Sequence, residues 1–341
     1  MANHASAPAT KQAIAGPEFH IPPRHVVCAT DLAPGTLDAE RAAFEVARAF
    51  GARLTFVWVD PTFVYHAELL ASSGGLASGS FDPQRQKTYL ARRAEELRAH
   101  LGPLSHGQAF FVVTDSGEPS LSLLGWLKSH EQTDVPRADL VVVGRKQRGA
   151  LHNLFLGSTA NSLLEEAHIP VMVVPEKSCP ERPDGFLLRD VALASDLSNL
   201  HEAPAELAAR FCHEVHGTLT LVHSFESQGY RPVPPEYFAN EEMYRELADL
   251  FSNASDIKTR QLAKEAESIA KEHDVNCVGR LLEGSPKEAL LEFVRERRPQ
   301  LLVVGRWTNA SGLATLFLGS TARALAMHAA TPVLVVPHTH D

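Results

Sequence analysis

No stretch of this sequence approaches the ~20 consecutive apolar residues that cross a bilayer as a helix. The longest runs, such as 140–143 and 333–336, are several-fold too short, which argues against a membrane span. Residues 1–20 carry Pro8, Pro17 and Glu18 among scattered alanines, without a charged start and an apolar centre, and do not read as a secretory signal. They are expected to form a disordered lead-in to a cytoplasmic protein. Cysteine is scarce and dispersed. Cys28, Cys179, Cys212 and Cys277 include no C-x-x-C pair, so a zinc ribbon and a disulfide framework are both disfavoured against free buried thiols. His213 and His216 stand at i, i+3 without a carboxylate or thiol partner and read as surface histidines rather than metal ligands. Positive charge is short as well: 32 Lys+Arg face 41 Asp+Glu, a net charge of -9. That balance disfavours nucleic acid and anionic membranes as partners, because both are polyanions. Two nucleotide signatures are missing. Gly144 and Gly149 open like a Walker loop, but Ala150 and Leu151 stand where Lys and Ser/Thr are required. No Gly-x-Gly-x-x-Gly follows the first strand, which counts against a dinucleotide oxidoreductase.

What is present is an ordinary globular composition, 44% hydrophobic and 21% charged, over a length of 341 residues that suggests about two domains. The chain also repeats itself. The segment 26–32 (VVCATDL) returns as 191–197 (VALASDL), an offset of 165, and Gly117-Glu118-Pro119 returns as Gly284-Ser285-Pro286. The run 140–145 (LVVVGR) returns as 301–306 (LLVVGR), and 154–160 (LFLGSTA) returns letter for letter as 316–322. Pro170 to Pro175 returns as Pro332 to Pro337. Ordered blocks at nearly constant offset predict two homologous domains, 21–178 and 186–338, joined where Pro180, Pro183 and Gly185 sit among charges.

Within each copy short apolar runs alternate with amphipathic helices. Residues 26–29 read as a buried strand, followed by a helix in which Ala43, Val46, Ala47 and Phe50 share one face. Gly51 supplies a left-handed stop, matched in the second copy by Gly217. Further strands are expected at 54–59, 110–113, 140–143 and 171–174, and helices at 84–101, 119–130 and 159–167. A Gly/Ser-rich loop is expected at 71–80. This alternation implies an α/β fold of two tandem doubly wound parallel five-stranded sheets with helices on both faces. Strand five of each copy is an apolar edge bracketed by prolines. Such an edge invites pairing with another strand, so an intramolecular pseudo-dimer along these edges is expected, with a homodimer as the external alternative.

In an open sheet of order 3-2-1-4-5, ligands sit outside the strand carboxyl ends where the order reverses, between strands one and four. Asp31 and Asp196 end strand one, and loops open from Gly144 and Gly305 on strand four. Those loops run to Gly157-Ser158-Thr159 and Gly319-Ser320-Thr321 at a helix start, where free N–H groups and hydroxyls suit a phosphate. The same triplets also make good N-caps, contributing ~1 kcal/mol with no ligand.

Taken as a set, these ordered blocks resemble the universal stress protein family, over residues 24–176 and 187–338. That family carries Asp after strand one and G-2x-G-9x-G-(S/T) after strand four. The resemblance implies an adenine nucleotide alpha hydrolase-like fold and ATP as cofactor, with Mg accompanying it. It implies that Asp31, with Thr30 beside it, addresses the ribose, that Val59 offers backbone groups to adenine, and that Gly144, Gly157, Ser158 and Thr159 surround the phosphates. In the second copy the same positions are Asp196, Gly305, Gly319 and Ser320. Both copies depart from the pattern at the second glycine, where Gln147 and Thr308 place a side chain against phosphate approach. The first copy keeps the family spacing, so a nucleotide is expected there before the second. Arg145, Lys146 and Arg148 are expected near the phosphates.

Three functions stay open on the sequence. The first is a stress-response module for signalling or protection that binds an adenine nucleotide and acts on an unknown protein partner. The second is an enzyme hydrolysing or transferring from ATP, at most a weak ATPase, for which no catalytic residue or metal-binding carboxylate pair stands out. The third is an interaction module that binds no nucleotide.

Overall fold

The computed structural model describes residues 19–31, 34–59, 108–113, 118–128, 136–145, 156–179, 188–197, 202–226, 241–308 and 318–339, with helical positions at 88, 91, 92 and 95. The expected loop at 71–80 lies outside the described residues, and so does the expected helix at 84–101 apart from those four positions. Among the described residues no helix is long and apolar enough to cross a membrane.

The first half contains strands β1 (His25–Ala29), β2 (Arg53–Val59), β3 (Gln108–Val113), β4 (Leu140–Arg145) and β5 (Val171–Pro175). Its helices are α1 (Leu37–Phe50), α2 (Pro119–Lys128) and α3 (Ser158–Glu166). The second half contains β6 (Asp190–Ala194), β7 (Thr218–Phe225), β8 (Asn276–Glu283), β9 (Leu301–Thr308) and β10 (Val333–Thr339). Its helices are α4 (Ala203–Val215), α5 (Glu241–His273), α6 (Pro286–Arg297) and α7 (Ser320–His328). All ten strands form one sheet in the order β3-β2-β1-β4-β5-β10-β9-β6-β7-β8. Each half therefore reads 3-2-1-4-5. Every neighbouring pair is parallel except β5 and β10 at the centre, which run antiparallel with Val173 opposite Val333 and Val171 opposite Val335. The two strand-five edges thus satisfy each other, and a continuous core of buried Val, Leu and Ala runs through both halves.

Helices cover the seam on both faces. On one, Phe50 of α1 meets Phe211 of α4 edge to face, with ring centroids 4.7 Å apart. On the other, Arg323 of α7 donates to Asn161 Oδ1 at 2.8 Å and to Glu165 Oε1 at 2.6 Å on α3.

The helix stop of the second half differs from the expectation by one residue. Gly51 has φ 59° and closes α1, but in α4 the left-handed position belongs to His216, with φ 50°. The bond from Gly217 N–H to Cys212 O and that from His216 N–H to His213 O complete a Schellman turn without glycine at its centre. Gly217 is needed for a different reason: a Cβ there would lie 2.6 Å from the Arg189 carbonyl oxygen. His216 is thereby a helix cap, and His213 Nδ1 pairs with the Asp274 carbonyl at 3.3 Å.

The entry to β1 is clamped by a buried carboxylate. Asp139 accepts the backbone N–H groups of His20, Arg24 and His25 at 2.9, 2.9 and 3.0 Å, as well as a contact from the His20 ring at 2.8 Å. His25 itself is buried, its Nδ1–H donating to Pro136 O and its Nε2 facing the Thr55 hydroxyl, each at 2.8 Å. Burial, the largest influence, holds the His25 imidazole below its ordinary value of 6.5. The neutral ring is the folded form, so its contribution to stability is complete above pH 6.5 and is lost as pH falls through the depressed value. Denaturant melts at pH 7.5 and 5.5 should show that loss, and His25→Gln should flatten it. An unchanged slope in the variant would contradict the assignment.

Candidate functional site

The carboxyl ends of β6, β7 and β9 border a cleft of about 290 Å³ in the second half. It lies at the strand-order reversal between β6 and β9. Its floor is apolar, from Leu193, Val222, Leu290 and Val304, and its polar groups are Ser195, Asp196, Glu202, His223, Ser224 and Thr321. Three helix starts converge on it, through Glu202, Pro204 and Ala205 at α4, Pro286 at α6, and Thr321 and Ala322 at α7.

The turn after β6 is held rigidly. Leu197 takes φ 66°, with its N–H bonded to Ser195 Oγ at 3.0 Å, which directs the chain sharply away after Asp196. Ser195 N–H bonds the Val222 carbonyl, and His223 Nδ1 lies 2.9 Å from the Ser195 carbonyl. A carbonyl only accepts, so Nδ1 carries a proton toward it, and the His223 ring is one of the cleft's walls.

Asp196 and Gly305, both expected from the sequence, line this cleft. Gly319 and Ser320 sit one turn back, as N-cap and first residue of α7. Gly157 and Ser158 hold the same places on α3, with Thr159 next. The N-cap of each helix is the glycine of the triplet, which has no side-chain acceptor to offer the first N–H groups. Among the described residues, a Cβ built on Gly157 or Gly319 meets nothing within 4 Å.

In the first half, Thr30, Asp31, Val59 and Gly144 come to the same edge of the sheet, Asp31 exposed and Val59 half-buried. Near Gly144, between β1 and β4, lies a cluster of buried polar side chains that sequence reasoning missed. Thr30 Oγ1 donates to Glu40 Oε1 at 2.7 Å and lies 3.2 Å from Thr36 Oγ1, all three residues being buried. Thr36 Cγ2 is 3.5 Å from where a Cβ of Gly144 would be. At the offset of 165, Glu40 corresponds to Ala205, a wall residue of the second cleft. One helix position thus carries a small wall residue in the second half and a buried carboxylate in the first. Burial, aided by the Glu40 carboxylate, pushes the Cys28 thiol well above its ordinary 9.0. Cys179 and Cys212 are raised to about 12 and Cys277 to about 11, each chiefly by burial, so all four remain thiols at neutral pH.

Of the three basic residues expected near the phosphates, Arg145 is the one the structure describes, and it turns elsewhere. Arg145 is buried and points across the central seam rather than into the crevice, because its guanidinium finds helix-end carbonyls there. Lys146, Gln147 and Arg148 lie outside the described residues, whereas Thr308 ends β9.

Residues 23–175 and 188–337 each match the model of the universal stress protein family. The chain belongs to that family. Relatives include a universal stress protein of Mycobacterium tuberculosis, 28% identical over 203 residues, covering 59% of this chain and 60% of the relative. Another, from Mycolicibacterium smegmatis, is 32% identical over 203 residues, covering 58% of this chain and 62% of the relative. The chain thus spans about three-fifths of the length of these curated relatives. A universal stress protein structure from Archaeoglobus fulgidus superposes with a TM-score of 0.55 at 15% identity, covering 92% of this chain and 98% of that one. The shared fold extends over both halves.

Proposed function

We propose that this protein is a non-catalytic module of the cytoplasmic stress response that holds an adenine nucleoside or nucleotide in its second-half cleft. The observation that carries the reading is the cleft itself, a cavity of about 290 Å³ at the sheet's switch point with Asp196, Gly305 and Thr321 on its walls. Small-molecule pockets run from about 300 to 1,000 Å³, so the cleft suits the adenosine part of a ligand, leaving phosphates outside. The uncapped start of α7 offers N–H groups for a phosphate. Asp196 would hydrogen-bond ribose hydroxyls. Among the described residues no group of three His, Cys, Asp or Glu could hold a metal ion, and Mg would come with the nucleotide's phosphates.

The loop spacing favours the first half for ATP, through Thr30, Asp31, Val59, Gly144, Gly157, Ser158 and Thr159. Glu40 and Thr36 weigh against that order, since with Thr30 they form the buried polar cluster near Gly144. Mass spectrometry of freshly purified, denatured protein should release an adenine compound. In calorimetry Asp196→Ala should weaken adenosine or AMP binding about tenfold, whereas Asp31→Ala should change it little. The reverse order would move the site to the first half, multiple turnover of ATP would revive the enzyme reading, and no binding at all would leave the interaction module.

A further inference from the structure

The two strand-four arginines exchange partners across the seam. Arg145, directly after Gly144, donates from Nη1 to the Ala326 carbonyl at 2.7 Å and from Nη2 to the Ala329 carbonyl at 2.6 Å, at the C-terminal turn of α7. Arg306, directly after Gly305, donates in the same way to the Leu164 and Ala167 carbonyls at the end of α3. Both side chains are nearly inaccessible, at 2% and 1% exposure. The last carbonyls of a helix lack intrahelical donors, and a planar guanidinium with two parallel N–H groups matches a pair of them as no other side chain does.

The far end of α7 borders the second-half cleft. Thr321 and Ala322, at the start of α7, line the second-half cleft, yet the arginine holding α7 belongs to the first half. Ser158 and Thr159, at the start of α3, are the first-half counterparts of Ser320 and Thr321, and the arginine holding α3 follows Gly305 of the second-half cleft. Each helix is 9 residues long. That is about 13 Å of rigid rod, so a shift at its C-terminus is carried to its N-terminus.

We propose that Arg145 and Arg306 are positioning residues acting in trans between the halves, each setting the helix that borders the other half's crevice, so that occupancy of one crevice alters affinity at the other. The coupling rests on the ligand reading above, but the trans positioning does not. A ligand pressing on Gly305 moves Arg306 and with it α3; one at Gly144 moves Arg145 and α7. Linkage makes the effect reciprocal.

Hydrogen exchange on the ligand-free full chain tests the positioning. Arg145→Lys keeps the charge but lacks the rigid planar fork that meets both carbonyls at once. It should speed exchange of amides 323–328 about tenfold and leave 161–166 near wild type, and Arg306→Lys should give the mirror image. Arg145→Gln, neutral with one donor group, should repeat the first pattern if the lysine variant folds poorly. Equal acceleration in both helices, or none, overturns the proposal. The coupling is read with adenosine as probe in an Asp31→Ala background, where Arg145→Lys should weaken second-cleft binding about tenfold although it lines no part of that cleft. Unchanged affinity overturns the coupling. If wild-type protein binds no adenosine, the ligand reading and the coupling fall together, while the exchange pattern still decides the arginines' role.

Discussion

Replacing Val173 and Val335 together with lysine is expected to part the two halves of the molecule. Both valines are about 1% exposed and occupy equivalent places on β5 and β10, one on each side of the antiparallel seam. Val173 faces Val333 and Val335 faces Val171, so the two new ammonium groups would not sit opposite each other and could not share a rescue. An unpaired charge at such a site costs several kcal/mol, and the apolar area lost adds more. The combined loss should reach at least about 5 kcal/mol, most of the stability of an ordinary domain. The seam is three residue pairs long, so the damage should concentrate between the halves. Small-angle scattering should then report a larger radius of gyration, and a single denaturant transition should divide into two. Val173→Thr with Val335→Thr keeps the shape and should cost far less. A lysine pair that leaves both the dimensions and the transition unchanged would mean the seam contributes little.

That seam was legible before any coordinates, and the reason is physical. A strand rich in valine with proline at both ends, repeated at Pro170–Pro175 and Pro332–Pro337, reads as an apolar sheet edge, and such an edge invites pairing with another strand. Alternation and right-handed crossovers left few topologies, and the family resemblance singled out 3-2-1-4-5 among them, the order each half shows. The site was legible only in part. Asp196 and Gly305 were placed by the switch-point rule, and both line the cleft. Glu40 was not foreseen, because a single acid on an otherwise apolar helix face reads as a periodicity error until its neighbours Thr30 and Thr36 are seen to bond it. The left-handed cap at His216 was hidden by the glycine beside it, whose requirement is steric contact with Arg189 rather than backbone conformation. Periodicity reports which face of an element is buried. It carries no information on contacts between elements from different repeats.

The arginines of β4 and β9 are the sharpest instance, and they yield the second large effect. Arg145, next to the loop glycine Gly144, is expected from the sequence near the phosphates, yet it and its counterpart Arg306 each turn away to the opposite half. Burial holds both below their ordinary value, to about 10, so they stay charged at neutral pH at an electrostatic cost that the helix-end carbonyls offset. Neither is bonded to a carboxylate, unlike Arg323 with Glu165. Two opposing consequences of Arg306→Met must therefore be weighed. Removing the charge relieves its desolvation, and methionine fills most of the volume. Against that, two buried carbonyls lose their donors, at about 1–3 kcal/mol each. The second effect should win, with a net loss of about 2–3 kcal/mol at pH 7 in denaturant melts. Arg306→Ala adds a cavity in the same place and should lose about 4–5 kcal/mol. The gap between the two variants then measures packing, and the methionine value measures the carbonyls. A methionine variant as stable as wild type would show that the Leu164 and Ala167 carbonyls find other donors, and that burying a charge at this seam brings no stability.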